Sequence, residues 1–328
     1  MTVNEIPKIV LHLHLDGSID VDDAYKWVKE DGIVLTKKEM LKKMQVDDQC
    51  HSLNDYLEKF NLACKLLQTC ARLEETSYHL FKKLAKMNVV YAEVRFAPNK
   101  HLEKGLNLDD VVISVINGMN RASVETDIMG GIILSLMRGD SDKDNLNVIK
   151  IAKKYLGKGV VALDLAGAEA LYPTKDYTSL FRYAKSLGIP FTIHAGEAAG
   201  VESIKAALDM GTKRIGHGVK IIEDKSLQQK LIDGDVLLEV CVTSNYQTEA
   251  IKGKHPIEAL YKNGIKINIS TDNDTVSNIN INKEYINILN RTNLNENDLI
   301  KCNKNSIPFI FAKDAIKEKL WQMYEKED

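Results

Sequence analysis

Lys8-Ile9-Val10-Leu11-His12-Leu13-His14-Leu15-Asp16-Gly17 is a short apolar run that carries two histidines and closes on an Asp-Gly pair. Side chains alternate faces along a β-strand, so His12 and His14 point the same way and Asp16 follows them. Two imidazoles converging from one strand end can grip a metal from one side and leave its other side open. The remaining ligands must then lie elsewhere in the chain.

Comparable runs recur at 89–98, 130–138, 160–167, 190–197, 213–219, 236–244 and 266–273. Most are separated by helical periodicity, as in VESIKAALDM (201–210), stopped by Gly211 in a C-cap position. Eight strands alternating with helices predict the α/β class, a parallel sheet closed into a (β/α)8 TIM barrel. About seventy residues separate the first two strands, and most read as helix. They predict a helical insertion after strand 1, at 18–88, lying over the barrel mouth as a lid. Extra helices follow from about Asn280. With no repeat, low-complexity tract or Pro/Gly linker, residues 1–328 are expected to form a single barrel domain.

The chain is 44% apolar, enough for a large core, and its net charge of -2 offers no broad attraction for nucleic acid or an anionic membrane. No stretch approaches the roughly 20 apolar residues of a membrane span. The N-terminal MTVNEIPKIV has no signal-peptide pattern, so a cytoplasmic location is expected. The five cysteines are scattered without a CxxC, which indicates neither a disulfide framework nor a thiolate zinc site.

Four of the eight histidines (His12, His14, His194 and His217) fall at C-terminal ends of predicted strands, where barrel enzymes place their active sites. His51, His79, His101 and His255 lie in predicted helices or loops and read as surface or structural. A lone strand histidine is more often a hydrogen-bonded core residue than a ligand. The joint pattern shifts that balance: His194-Ala195-Gly196-Glu197, Ile215-Gly216-His217-Gly218 and Ser270-Thr271-Asp272-Asn273 each set a polar group at a strand end. Three imidazoles and a carboxylate suit zinc with room for a water. Strand 4 carries Asp164 and no lysine, which favours one metal over two. Glu93 and Arg95 alternate with apolar neighbours and read as a salt-bridged layer inside the barrel. Bland readings exist for two site candidates: Glu197 as a helix N-terminal carboxylate, and Asp16-Gly17 as turn chemistry.

In this order and spacing, HLHLDG, LDLAG, IHAGE, RIGHG and STDN resemble the adenosine deaminase family of amidohydrolase-type barrels, from about Pro7 to the C-terminal helices. The resemblance implies one zinc per chain, held by His12, His14, His194 and Asp272. It implies hydrolysis of adenosine and 2′-deoxyadenosine to inosine and 2′-deoxyinosine plus ammonia, a step of purine salvage. Zinc-bound hydroxide would attack purine C6 while Glu197 protonates N1, and His217 would orient or deprotonate the water. His14 would also border the substrate, Asp16 would meet the ribose hydroxyls, and the Gly167 N–H the purine ring. The implied partner is a small purine nucleoside. The chemistry asks for such groups in any case: a water activated at neutral pH and a carboxylic acid with raised pKa.

Two departures stand out. Asn273 and Asp274 occupy positions where many family members carry an aspartate and then proline. An asparagine amide donates without a proton cost, so Asn273 is expected to keep a contact to purine N7. Asp274 would share a face with Asp272 if the strand continued. Ala168 stands where an acidic residue is often found. The rival readings are a sister deaminase of adenine or another 6-aminopurine derivative, a metal-dependent phosphoesterase with two or three metals, and a non-catalytic purine-binding protein. HLDG, rather than the HLEG or HLNG of relatives acting on adenine or methylated AMP, leans toward an unphosphorylated nucleoside. His101-Leu102-Glu103 lacks the PCxxC partner of cytidine-deaminase chemistry.

Overall fold

The opening run forms β1 (Lys8–His14), buried along its whole length. Seven parallel strands follow: β2 (Val89–Phe96), β3 (Met129–Met137), β4 (Val160–Ala166), β5 (Ile193–Ala195), β6 (Arg214–His217), β7 (Leu237–Val240) and β8 (Lys266–Ile269). The computed structural model describes residues 1–47 and 50–325. Residues 48–49, inside the expected insertion, and 326–328, at the end of the expected domain, lie outside the described residues.

The strands pair in sequence order as β1 to β4 and as β5 to β8. Backbone bonds bridge both seams. Leu163 N–H donates to Pro190 and Thr192 N–H to Leu163, at 2.9 and 3.0 Å. On the other side, His14 N–H donates to Asp272 and Asp272 N–H to His12, at 2.7 and 3.1 Å. The expected (β/α)8 TIM barrel is therefore the observed architecture. Strands 6 and 8 are shorter than the sequence pattern suggests: β6 ends at His217 and β8 at Ile269, and both His217 and Asp272 take positive φ (61° and 64°), which breaks the run of extended backbone there.

A β-bulge in β1 positions the metal-ligand candidates. Val10 pairs with Ala92 and Leu13 with Val94, so β1 spends one extra residue over that interval. Leu11 joins Ile9, Tyr91 and Leu237 in an apolar plug with Ile307, Phe309, Leu320 and Tyr324 from the C-terminal segment. The bulge then turns His12 inward as well, as such insertions re-aim a side chain.

Helices α1 (Val21–Glu30), α2 (Lys37–Met44), α3 (Leu53–Glu58), α4 (Phe60–Leu66) and α5 (Cys70–Lys86) separate β1 from β2. α5 packs on β2 and on α6 (Leu108–Thr126) in the outer ring, whereas α3 and α4 border the mouth. The ring continues with α7 (Asp142–Tyr155), α8 (Thr178–Ser186), α9 (Val201–Met210) and α10 (Lys225–Asp233). α11 (Val242–Gln247) begins just past β7, and α12 (Ile257–Lys262) leads into β8. α13 (Ile281–Arg291), α14 (Glu296–Ser306) and α15 (Asp314–Glu325) end the chain, with α14 against β8 and β1. Among the described residues, no helix is long and apolar enough to cross a membrane.

Candidate active site

A buried charged layer lies above the apolar plug. Arg214 on β6 pairs with Glu93 on β2 and donates from Nε to Glu239 Oε1 on β7 at 2.7 Å. Arg95 on β2 reaches Glu239 Oε2 at 2.7 Å and Asp164 Oδ1 on β4 at 3.3 Å. Glu93 and Arg95 thus both belong to an interior ionic layer, each paired with residues from other strands. Burial pushes the Glu239 carboxyl up, but the guanidinium groups of Arg95 and Arg214 outweigh it and hold it well below the usual range. Asp164 likewise stays below its ordinary value, with His194 and Arg95 outweighing burial.

These two anions can only accept, so they set the orientation of the histidines above them. Glu239 Oε2 lies 2.9 Å from His12 Nδ1, and Asp164 Oδ1 lies 3.0 Å from His194 Nδ1. Both rings therefore carry a proton on Nδ1 and turn Nε2 toward the barrel axis. Asp272 Oδ1 lies 3.3 Å from His12 Nε2 and 3.4 Å from His14 Nε2, while its Oδ2 accepts from Ser244 Oγ at 2.6 Å.

One ligand atom from each of His12, His194, His217 and Asp272 lies within 4.8 Å of the others. His14 joins them, its Nε2 3.2 Å from His194 Nε2. Burial pushes the pKa of His14, His194 and His217 down, so these rings are neutral. His12 Nε2 is buried with no hydrogen-bond partner. Lone pairs converging on one point beside a carboxylate repel one another until a cation sits among them, and a nitrogen-and-oxygen donor set of this size fits a divalent metal such as zinc.

Glu197 follows β5 in a loop held from behind. The Glu169 carboxylate accepts the N–H groups of Gly196, Glu197, Ala198 and Ala199 at 2.7 to 3.0 Å, and the Ser203 hydroxyl. Glu197 Oε1 accepts from Thr248 Oγ1 at 3.0 Å, and Oε2 lies 3.4 Å from His217 Nε2. Burial first, then the charges of Asp272 and Glu169, raise its pKa well above the ordinary value, which favours the protonated acid.

The cluster opens into a cavity of about 630 Å³, within the range of small-molecule sites. His14, Asp16, Gly167, His194, Glu197, His217, Asp272 and Asn273 all line it, and His12 is buried just beneath. A second groove of about 730 Å³ is bordered mainly by charged surface residues and contains none of these groups.

Asp16 and Asn273 each leave a buried side-chain oxygen without a partner, and burial pushes Asp16 up to about 6. His101 lies behind Asp16, its Nε2 3.9 Å from Asp16 Oδ2. Asn273 presses on Gly17: a Cβ there would stand 1.7 Å from Asn273 Oδ1, so only glycine admits this approach. Asp274 turns away from the cluster, taking Lys83 Nζ at 2.8 Å and the Thr271 hydroxyl at 2.8 Å, which leaves Asp272 as the cluster's carboxylate.

Sequence reasoning missed Glu239, Glu169, Ser244, Asn245, Thr248 and the position of His255. A lone carboxylate in the apolar run Leu237-Leu238-Glu239-Val240 was a readable signal. The others carry no local pattern.

The family model for adenosine deaminase matches residues 7–326. An adenosine deaminase of Clostridium perfringens (strain ATCC 13124) is 40% identical over 326 residues, covering 98% of each chain. Among solved structures, adenine deaminase from Arthrobacter aurescens superposes with a TM-score of 0.89 at 23% identity, covering 98% of each chain. The N6-methyl-AMP deaminase of Arabidopsis thaliana superposes with a TM-score of 0.87 at 25% identity, covering 99% of this chain and 97% of its own. By site and by likeness the chain belongs to the adenosine deaminase family, hydrolases that deaminate by cleaving a carbon–nitrogen bond.

Proposed function

We propose that this protein hydrolyses adenosine and 2′-deoxyadenosine to inosine and 2′-deoxyinosine with release of ammonia. The observation that carries the reading is the buried Glu197, its pKa raised by that burial, beside the histidine and aspartate cluster and in one cavity with Asn273 and the unpartnered oxygen of Asp16.

His12, His14, His194 and Asp272 would hold one zinc ion, which when bound lowers the pKa of a water from about 15.7 to about 7. The chain's own groups supply the rest. Glu197 gives its proton to purine N1, drawing electrons from C6 as a water oxygen adds there. The proton shed by the water passes to the exocyclic amine, the C6–N bond breaks as the new C6 hydroxyl returns its proton to Glu197, and ammonia leaves. The Gly167 N–H and the Asn273 amide orient the purine, and Asp16 accepts from ribose hydroxyls. Helices α1 to α4 serve as a lid that excludes bulk water, within a single barrel domain.

A nucleotide substrate needs cationic groups at the rim. Lys100 stands there, but its Nζ is 2.6 Å from Asp140 Oδ1 and Glu103 lines the same wall. With Lys100 paired and Arg138 bound to the Tyr172 and His194 carbonyls, Lys65 is the remaining lining cation, and a single exposed lysine favours an uncharged nucleoside over the monophosphate. A panel of adenosine, 2′-deoxyadenosine, adenine and AMP, followed by ultraviolet absorbance with zinc content measured in parallel, tests the reading. Turnover of the two nucleosides with one zinc per chain is expected. Turnover of adenine or AMP alone overturns the substrate assignment, and two metals per chain overturn the mononuclear site.

A further inference from the structure

We propose that Asn245 and His255 are positioning residues that lock His217 with its proton on Nε2, so that His217 donates a hydrogen bond into the reaction centre. The inference rests on the deaminase reading for its catalytic consequence and on hydrogen-bond polarity for the rest.

The polarity begins at a group that can only donate. Ile257 N–H, at the start of α12, points at His255 Nδ1 at 3.2 Å. His255 is buried, and burial pushes its pKa down to about 3, so the ring is neutral. A neutral imidazole that accepts at Nδ1 carries its proton on Nε2. His255 Nε2 lies 3.2 Å from Asn245 Oδ1, which fixes the amide with its oxygen toward His255. The Asn245 Nδ2 group then faces His217 Nδ1 at 3.0 Å and donates to it. His217 is left with its only proton on Nε2, the nitrogen that looks toward Glu197 Oε2 and the cluster.

This is the reverse of the polarity behind His12 and His194. There a carboxylate accepts from Nδ1, which leaves Nε2 as the inward nitrogen with no proton required of it. Behind His217 an amide donates to Nδ1, and an N–H faces inward. Four donor atoms share one small space, yet the groups behind the rings sort them into lone pairs and a hydrogen-bond donor. Distance alone makes His217 a ligand candidate, whereas the relay makes it the group that holds and orients the water oxygen by donating to it. In this tautomer Nε2 cannot take a proton, so deprotonation of the water falls to another group.

The experiment uses the full-length, zinc-loaded protein labelled with 15N-histidine. Long-range 1H–15N correlation spectra report which ring nitrogen of His217 is protonated, and loss of the signal in His217→Asn assigns it. The wild type is expected to show a protonated Nε2 and a bare Nδ1. Asn245→Asp, an acceptor toward both rings, is expected to move the proton to Nδ1 and lower kcat by about 10- to 100-fold, with KM little changed. His255→Phe frees the amide to turn and gives mixed tautomers. His255→Gln, whose amide can donate to Asn245 Oδ1, restores the wild-type spectrum and most of kcat. A proton on Nδ1 in the wild type overturns the inference whether or not any variant folds, as does an unmoved proton in Asn245→Asp. The spectra need no substrate, so failure to turn over adenosine would sink the deaminase reading and leave the relay standing.

Discussion

His194 Nδ1 lies 3.0 Å from Asp164 Oδ1, and the carboxylate behind the ring decides which nitrogen the ring offers to the barrel axis. Asp164 is in turn held by Arg95, so the orientation of a metal-ligand candidate is tied to a fully buried ionic layer. Outer partners of this kind change metal affinity by about 10- to 100-fold when removed. Asp164→Asn keeps the shape and removes the charge. It should weaken zinc binding by about that factor in a chelator competition. An unchanged affinity would mean that Asp164 serves the ionic layer alone.

Glu197 sits on the other side of the cluster and, in the proposed reaction, gives up a proton. Glu197→Gln keeps the contact to Thr248 Oγ1 but has no acid proton. The expected outcome is full zinc content and a kcat lower by about 10²- to 10⁴-fold. Zinc loss in the variant would show a metal-holding role in place of an acid.

Glu284 on α13 offers a pH dependence away from the cluster. It accepts from Thr243 N–H at 2.9 Å, and burial pushes its pKa up to about 7 against an ordinary value of 4.5. Between those values the folded chain binds more protons than the unfolded chain, so its stability falls as pH rises. The contribution is fully present below about 4.5 and is lost as pH climbs through about 7. Asp16, pushed up to about 6, adds a fall of the same sign. In thermal melts between about pH 5 and pH 8, Glu284→Gln should show a smaller decline in Tm than the wild type. An equal decline would show that Glu284 does not titrate in that window.

The barrel was legible because eight apolar runs alternate with amphipathic helices, and a local rule reads each of them. The histidines and Asp272 were legible because they end those runs. What stayed hidden depends on partners far along the chain. Strict alternation from Ile9 and Leu11 would turn His12 outward, and only the bulge against Ala92 and Val94 brings it in. Glu169 lies 27 to 30 residues before the amides of the Glu197 loop, and nothing local says that its carboxylate gathers four of them. Asn245 and His255 read as ordinary polar residues until Ile257 N–H fixes their polarity.

Asn273 and Gly17 form a coupled pair because the missing Cβ of Gly17 is where Asn273 Oδ1 lies. Asn273→Ala should lower kcat/KM for adenosine by removing a purine contact. Gly17→Ala should lower it by displacing the same amide. If both act through one contact, the double variant should be little worse than either alone, since residues sharing a contact are not additive. Additive losses would separate the two residues.

In the proposed reaction, Asp16 is the residue expected to decide between a nucleoside and a bare base. Its carboxylate is buried at the cavity wall, and one oxygen has no partner. A ribose brings hydroxyl donors that such an oxygen can accept, and a site built around a substrate hydroxyl loses most when that bond is unmade. Asp16→Ala should therefore raise KM for adenosine while leaving any trace turnover of adenine unchanged, with zinc content intact. The ratio of the two specificity constants is the measurement. If Asp16→Ala lowers both by the same factor, Asp16 shapes the cavity without touching the sugar, and the preference for a nucleoside must come from elsewhere in the wall.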